Sequence, residues 1–238
     1  MRFYRSIPTI KAMTFDLDDT LYDNRSVILR LEAEVFQWIA HHYPKCAPFT
    51  KADWLTFKSL ARENNPDVAG DVTLLRRAQL ALGLAHVGYE EEAIPDIIDQ
   101  IMEQVFYWRH QIDIPEETHH VLAELSQRMP LVAITNGNVD PEKIGLGQYF
   151  SLVLKAGPNG EAKPHREMFD KAVSFLGLKP SEILHVGDHP VSDVFGAKES
   201  GLLACWFNDQ MCNTATERDM RLIPDIEVTQ LSHLTKVS

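Results

Sequence analysis

Two carboxylates separated by one apolar residue, Asp16 and Asp18 of Asp16-Leu17-Asp18-Asp19-Thr20, follow directly on the short apolar run Ile10–Phe15. In extended backbone, residues i and i+2 point to the same side, so both acids can face one point beyond the end of a strand. Such a pair can divide the work of phosphoryl transfer: one carboxylate attacks phosphorus while the other gives and then takes a proton. A hard cation on carboxylate and carbonyl oxygens would spread the charge. Taken alone, the cluster reads equally as a solvated acidic turn in which Thr20 is only a cap.

Three further segments change that balance. Thr135-Asn136-Gly137 follows the apolar run Leu131–Ile134 and offers a hydroxyl and main-chain N–H groups to phosphoryl oxygens, though Asn-Gly is also an ordinary turn. Lys163-Pro164 supplies an ammonium before a helical pattern; by itself it would be a surface lysine. Gly187-Asp188 through Asp193 follows Ile183–Val186 and carries acids five positions apart, suited to a divalent cation, with Asp188 on the ion and Asp193 behind it; helix capping is the plain alternative. All four segments fall at the carboxyl end of an expected strand or in the loop after one, which is where open α/β sheets bind ligands. Four coincidences are much less probable than one.

The elements that must position these groups are legible as periodicity. Apolar bursts at Ile10–Phe15, Leu131–Thr135, Leu152–Leu154, Ile183–Val186 and Leu203–Phe207 predict five buried strands. A helical stripe of Met168, Phe169, Ala172, Val173 and Leu176, closed by Gly177 with Pro180 beyond, lies between two of them. This alternation predicts an α/β fold: a doubly wound, Rossmann-like parallel sheet. The stretch after Asn24 differs. Val27, Ile28, Leu31, Val35, Trp38 and Ile39 form one helical stripe and Ile94, Ile97, Ile98, Ile101, Val105 and Phe106 another. Helix starts at Thr50/Asp53 and Asp71 make about four helices with no strand between them. The expected division is an inserted all-helical domain at 24–111 within a catalytic core of 1–23 and 112–238.

Composition narrows the function classes. The chain has 238 residues, 45% hydrophobic, with a formal net charge of −11. That charge provides no footprint for nucleic acid, which needs clustered Lys and Arg. An anionic substrate remains compatible, since a divalent cation and one lysine can reverse the local sign. The three cysteines, Cys46, Cys205 and Cys212, have no disulfide or zinc spacing, and no segment has the length of a signal peptide or a membrane span. A cytoplasmic protein with reduced thiols and no membrane partner is expected; the oligomeric state is left open.

The four segments, in this order, resemble the motifs of the haloacid-dehalogenase-like hydrolase superfamily, and the helical insertion lies where that superfamily carries its cap. The resemblance implies that Asp16 is the nucleophile and that Asp18 protonates the leaving alcohol and then activates water. It implies that Asp16, the main-chain carbonyl of Asp18, and Asp188 hold Mg²⁺, with Mn²⁺ as the alternative ion. Thr135, Asn136 and Lys163 would bind the phosphoryl group, and Asp193 would orient Lys163 or a metal-bound water. An aspartate at 18 favours phosphate esters over halides within the superfamily. At closer range, Met1–Arg5, Thr14–Asn24, Leu131–Asn138, Gly145-Leu146-Gly147 and Ala156-Gly157-Pro158 resemble a helical-cap phosphatase of riboflavin biosynthesis. That implies 5-amino-6-(5-phospho-D-ribitylamino)uracil and flavin mononucleotide as small-molecule substrates.

Other readings compete. A broad-specificity sugar-phosphate or nucleotide phosphatase, or a phosphomutase, would use the same residues, and a phospho-receiver signalling module also gathers acids, Thr and Lys round Mg²⁺. An inactive scaffold would have no reason to keep Asp16, Asp18, Lys163 and Asp188. Trp54 and Tyr107-Trp108 could stack on a planar ring, but aromatics on amphipathic helices are more often core. The pairs His41-His42 and His119-His120 diverge by about 100° on a helix and make no chelate. His189 sits in the last motif, as near to being an exposed loop residue as a site residue, and Trp206 reads as strand-end core.

Overall fold

The computed structural model describes residues 1–212, 214 and 217–237. Its chain divides into two compact units, Met1–Asp23 with Asp113–Ser238, and Asn24–Ile112.

The first unit is built on a seven-stranded sheet: β1 (Arg2–Phe3), β2 (Ala12–Phe15), β3 (Leu131–Thr135), β4 (Leu152–Lys155), β5 (Ile183–Gly187), β6 (Leu203–Phe207) and β7 (Ile226–Val228). Their order is β1-β7-β6-β5-β2-β3-β4, parallel throughout except that β1 runs antiparallel to β7. Every residue of β2, β3 and β5 is buried, as parallel strands covered on both faces must be. The chain lays down β3 and β4 on one side of β2 and then β5, β6 and β7 on the other. The direction of winding therefore reverses at β2, and the crevice beyond its carboxyl end is where such sheets take ligands. This is a Rossmann-like α/β core.

The five expected strands form a contiguous run of this sheet, β6-β5-β2-β3-β4, with β4 at one edge. The remaining two, β1 at the other edge and β7 beside it, have two and three residues, too short to show a period, and Glu227 interrupts the apolar character of β7. They are pinned instead by polar contacts. Tyr4 donates to Glu227 at 2.5 Å, and Asp225, fully buried, pairs with Lys198 at 2.8 Å and with Arg5.

The second unit holds α1 (Asn24–His42), α2 (Lys51–Asn64), α3 (Val72–His86) and α4 (Ile94–Arg109). Its starts follow the sequence signals. Thr50 and Asp53 form a capping box ahead of α2, and Asp71 accepts from the N–H groups of Thr73 (2.8 Å) and Leu74 (3.0 Å) ahead of α3. Asn24 is itself the first helical residue of α1. Trp54 is core: its ring stacks on Phe36 at 5.7 Å and 5°. Gly83 permits this packing, since a Cβ there would lie 2.5 Å from the Trp54 ring. All three cysteines are free, and no helix among the described residues is long and apolar enough to cross a membrane.

In the first unit, α5 (Glu116–Arg128) precedes β3, α6 (Glu167–Leu176) precedes β5, and the short α7 (Gly196–Glu199) precedes β6. Gly177 ends α6 in the left-handed conformation, φ 64°, as the sequence predicts.

Candidate active site

Asp16 is the first residue past β2, yet its N–H still bonds to the Val186 carbonyl of β5 at 2.9 Å, so the sheet fixes its position. Leu17 turns inward and is fully buried, while Asp16 and Asp18 take the other side, as alternation requires. The chain then bends sharply: Asp19 adopts φ 59°, a conformation short polar residues tolerate, and the Leu21 N–H returns to the Leu17 carbonyl at 2.9 Å. The turn delivers two hydroxyls. Tyr22 donates to Asp18 Oδ1 at 2.6 Å. Thr20 Oγ1 accepts the Asp188 N–H at 3.0 Å and lies 3.3 Å from Asp188 Oδ1 and 3.5 Å from Asp16 Oδ2. Thr20 thus ties the loop after β2 to the loop after β5 and is more than a cap.

Lys163 is no surface residue. Only 4% exposed, its Nζ lies 2.6 Å from both Asp16 Oδ1 and Asp193 Oδ1. Asn136 explains how a loop lysine is held there: its amide accepts from the Lys163 N–H at 2.7 Å and donates to the Lys163 carbonyl at 2.9 Å. The side chain of Asn136 is therefore committed to Lys163 rather than free for an anion. Thr135, fully buried at the end of β3, accepts the Gly137 N–H at 2.9 Å and keeps its hydroxyl proton to donate.

Asp193 is the most heavily bonded acid. Oδ1 takes Lys163 and lies 3.2 Å from His185 Nε2, while Oδ2 accepts the His189 N–H at 2.9 Å. It can sit this close beneath β5 because residue 187 is glycine: a Cβ there would come within 2.2 Å of Asp193 Cγ. His189 caps the wide helical turn Pro190–Phe195 through Nδ1, which accepts from the N–H groups of Val191 and Ser192, both at 3.1 Å. Trp206 is strand-end core, donating through Nε1 to the Asp188 carbonyl at 2.7 Å.

Charge is unbalanced here. Burial pulls the Lys163 ammonium down, but Asp16 and Asp193 outweigh it and leave it raised and protonated. Burial would also raise Asp193, yet Lys163 and the His185 hydrogen bond hold it well below the usual carboxylate range. Asp16 is pushed well up by burial, which Lys163 only partly offsets against Asp193 and Asp18. Asp188 is pushed up to about 7 by burial and by Asp193 and Asp19. Carboxyl oxygens of Asp16, Asp188 and Asp193 lie within 4.8 Å of one another. Asp193 is already held on both oxygens by three donors, so Asp16 and Asp188 are the acids better placed to give an oxygen to a cation. A hard divalent ion fits this donor set, being the charge that would relieve crowded, oxygen-only ligands. A cavity of about 190 Å³ borders Asp188, between His189, Trp206, Asn208 and Glu217.

The structure thus brings Asp16, Thr135, Asn136, Lys163, Asp188 and Asp193 together at the switch point, with Asp18 on the same turn. It adds Thr14, Thr20, Tyr22 and His185, which single residues of common types could not announce. Within the helical unit, Tyr107 is exposed and Trp108 packs on the core.

The model of the haloacid dehalogenase-like hydrolase family matches residues 10–201. The 5-amino-6-(5-phospho-D-ribitylamino)uracil phosphatase YigB of Escherichia coli is 41% identical over 237 residues, spanning all of both chains. The glyceraldehyde 3-phosphate phosphatase of Pyrococcus furiosus is 35% identical over 83% of this chain and 80% of its own. Among solved structures, a 2-haloacid dehalogenase from Pseudomonas syringae pv. Tomato superposes with a TM-score of 0.90 at 34% identity, over 96% of this chain and 98% of that one. With its motifs converging on one crevice and its family model matching from β2 to the end of α7, this chain belongs to the haloacid dehalogenase-like hydrolase family.

Proposed function

We propose that this chain is a phosphomonoester hydrolase working through a phospho-aspartate on Asp16. The observation that carries the reading is the Lys163 ammonium, buried between Asp16 and Asp193 at 2.6 Å from each, beside a second acid, Asp18, held ready by Tyr22. One carboxylate oxygen of Asp16 attacks phosphorus; the bond to the leaving oxygen breaks, and Asp18 delivers the proton that oxygen needs. A water then attacks the aspartyl phosphate, Asp18 takes its proton, and the O–P bond to Asp16 breaks to give inorganic phosphate. Lys163 and the Thr135 hydroxyl meet the charge that develops on the equatorial oxygens, and Asn136 keeps Lys163 in register. Asp16, Asp188 and the main-chain carbonyl of Asp18 would hold Mg²⁺, or Mn²⁺ in its place. When bound, such an ion supplies electrostatic stabilisation of the same oxygens.

Full-length similarity to YigB supports 5-amino-6-(5-phospho-D-ribitylamino)uracil as substrate; flavin mononucleotide as a second substrate and a place in the cytoplasm belong to the same proposal. The helical unit 24–111 is proposed as the cap that selects the leaving group and excludes bulk water. A second reading comes from the dehalogenase neighbour: Asp16 would displace halide from a 2-haloacid. Asp18 weighs against it, since a halide leaves without a proton and that reaction would give a second acid at this position no acid role.

The test is phosphate release, with and without Mg²⁺, from the ribitylaminouracil phosphate, flavin mononucleotide, sugar phosphates and nucleotides, beside halide release from 2-chloropropionate, with Asp16→Asn run in parallel. Turnover of the two flavin-pathway compounds, lost in the variant, is expected. Spread-out turnover would remove the substrate assignment, and halide release or an active variant would remove the mechanism.

A further inference from the structure

A histidine in the middle of a buried parallel strand is out of place unless it has partners on both sides. His185 is 1% exposed. On β5, Ile183, His185 and Gly187 share one face, the face on which Asp193 folds back beneath Gly187. Thr14 on β2 is its register partner, and Thr14 Oγ1 lies 2.8 Å from His185 Nδ1. On the far side of the ring, Nε2 lies 3.2 Å from Asp193 Oδ1. Phe169 of α6 closes the remaining side, its ring at 5.0 Å and 89° to the imidazole. A continuous buried chain therefore runs Thr14–His185–Asp193–Lys163–Asp16, from inside the sheet to the nucleophile.

The direction of the bonds follows from donor chemistry. An ionised Asp193 can only accept, so Nε2 must carry the proton. Burial keeps the imidazole neutral, so Nδ1 is a bare acceptor and takes the Thr14 hydroxyl proton. Asp193 thus selects the tautomer, and the Thr14 hydroxyl, able to donate or accept, satisfies the bare nitrogen on the other side of the ring. Lys163 and His185 share Oδ1 of Asp193, while His189 N–H holds Oδ2, so the carboxylate cannot rotate.

We propose that His185, an Nε2–H donor to Asp193 held on its other nitrogen by Thr14, is a positioning residue that holds Asp193 in place and, through it, aims the Lys163 ammonium at Asp16 and the phosphoryl group. The role rests on the phosphatase reading above. Without the Nε2–H donor, Asp193 keeps its charge but loses one of the bonds that fix its plane, and Oδ1 competes harder for Lys163. Less of the ammonium is then available to the transferring group.

Three variants and one spectrum test this. His185→Leu removes the donor at similar volume and is expected to lower kcat/KM for the ester turned over by the parent by roughly 10- to 100-fold, as loss of a supporting hydrogen bond to a catalytic group does elsewhere. The Ki for inorganic phosphate should rise with it. His185→Gln places an amide N–H where Nε2 was and should recover activity to within a few fold. Thr14→Val, which removes the hydroxyl that satisfies Nδ1 and steadies the ring, should fall between them. Circular dichroism and melting report whether each variant folds. On the parent protein, ¹⁵N-edited NMR of the imidazole should show a neutral Nε2–H tautomer that does not titrate while the fold persists, whether or not a variant misfolds. Full activity in His185→Leu, equal loss in a folded His185→Gln, or an Nδ1–H or charged ring would overturn the proposal. A parent inactive on every phosphate ester would remove the phosphatase reading instead, and the NMR result would still decide the tautomer.

Discussion

Replacing Lys163 by methionine separates the electrostatics of this site from its chemistry. The parent holds one ammonium, with its side chain 1% exposed, against Asp16 and Asp193 at 2.6 Å each. Methionine fills similar volume, so the change leaves two buried carboxylates facing one another without their cation. Removing one partner of a buried ion pair typically costs about 3–5 kcal/mol, because the remaining charge is uncompensated. For a unit of this size, each kcal/mol shifts the midpoint by roughly 2–4 °C, so the core transition should fall by roughly 10 °C at pH 8. The pH dependence carries the diagnosis. In the parent, Asp193 has a depressed folded pKa, so its contribution is present above the unfolded value and lost only as pH falls through the folded one. In the variant, both carboxyls have folded pKa values above their unfolded ones, and Asp16, already raised in the parent, rises further. Folding of the variant then takes up protons, and its stability grows as pH falls. The gap between parent and variant should therefore narrow from pH 8 to pH 5.5. Differential scanning calorimetry in chelating buffer at both pH values reads this directly. Equal midpoints at pH 8, or a gap that widens on acidification, would refute the buried Asp16–Lys163–Asp193 arrangement.

Other consequences are more local. Tyr22→Phe removes the O–H bonded to Asp18 Oδ1; a hydrogen bond to a charged group is worth about 1.5–3 kcal/mol, so kcat should fall by roughly 10- to 100-fold with the fold intact. A kcat within twofold of the parent would mean that Asp18 needs no such restraint. Gly187→Ala puts a Cβ against Asp193 Cγ, and displacing Asp193 by even part of an ångström should lower kcat/KM on the order of 100-fold; steady-state assays showing no change would contradict the close packing. Asp71→Ala removes the N-cap of α3 and should cost about 1 kcal/mol in the helical unit. Hydrolysis of a small ester should stay unchanged, and thermal melts with parallel assays would show both effects.

The chain's own residues determine the chemistry and much of the frame. Buried parallel strands are continuous apolar runs, so five contiguous strands could be read from composition and length. The capping residues Thr50 with Asp53, and Asp71, marked α2 and α3, because caps act within one turn of sequence. Asp16 and Asp188 stood out since charged groups next to strand ends are conspicuous. What sequence could not supply is whatever depends on residues distant in the chain. The β1–β7 pairing joins segments over two hundred residues apart with too few residues to show a period. Lys163 looked like a surface lysine until the fold buried it between two acids, and Asn136 looked like a ligand group until its amide closed on the Lys163 main chain. His185 was one polar residue in an apolar run. Its partners, Thr14 from the neighbouring strand and Asp193 from the next turn, are adjacent only because a parallel sheet sets β2 and β5 in register and a glycine lets the chain fold back. Local signals encode residue type and period; burial and hydrogen-bond partners are set by long-range contacts, which only the tertiary structure decides.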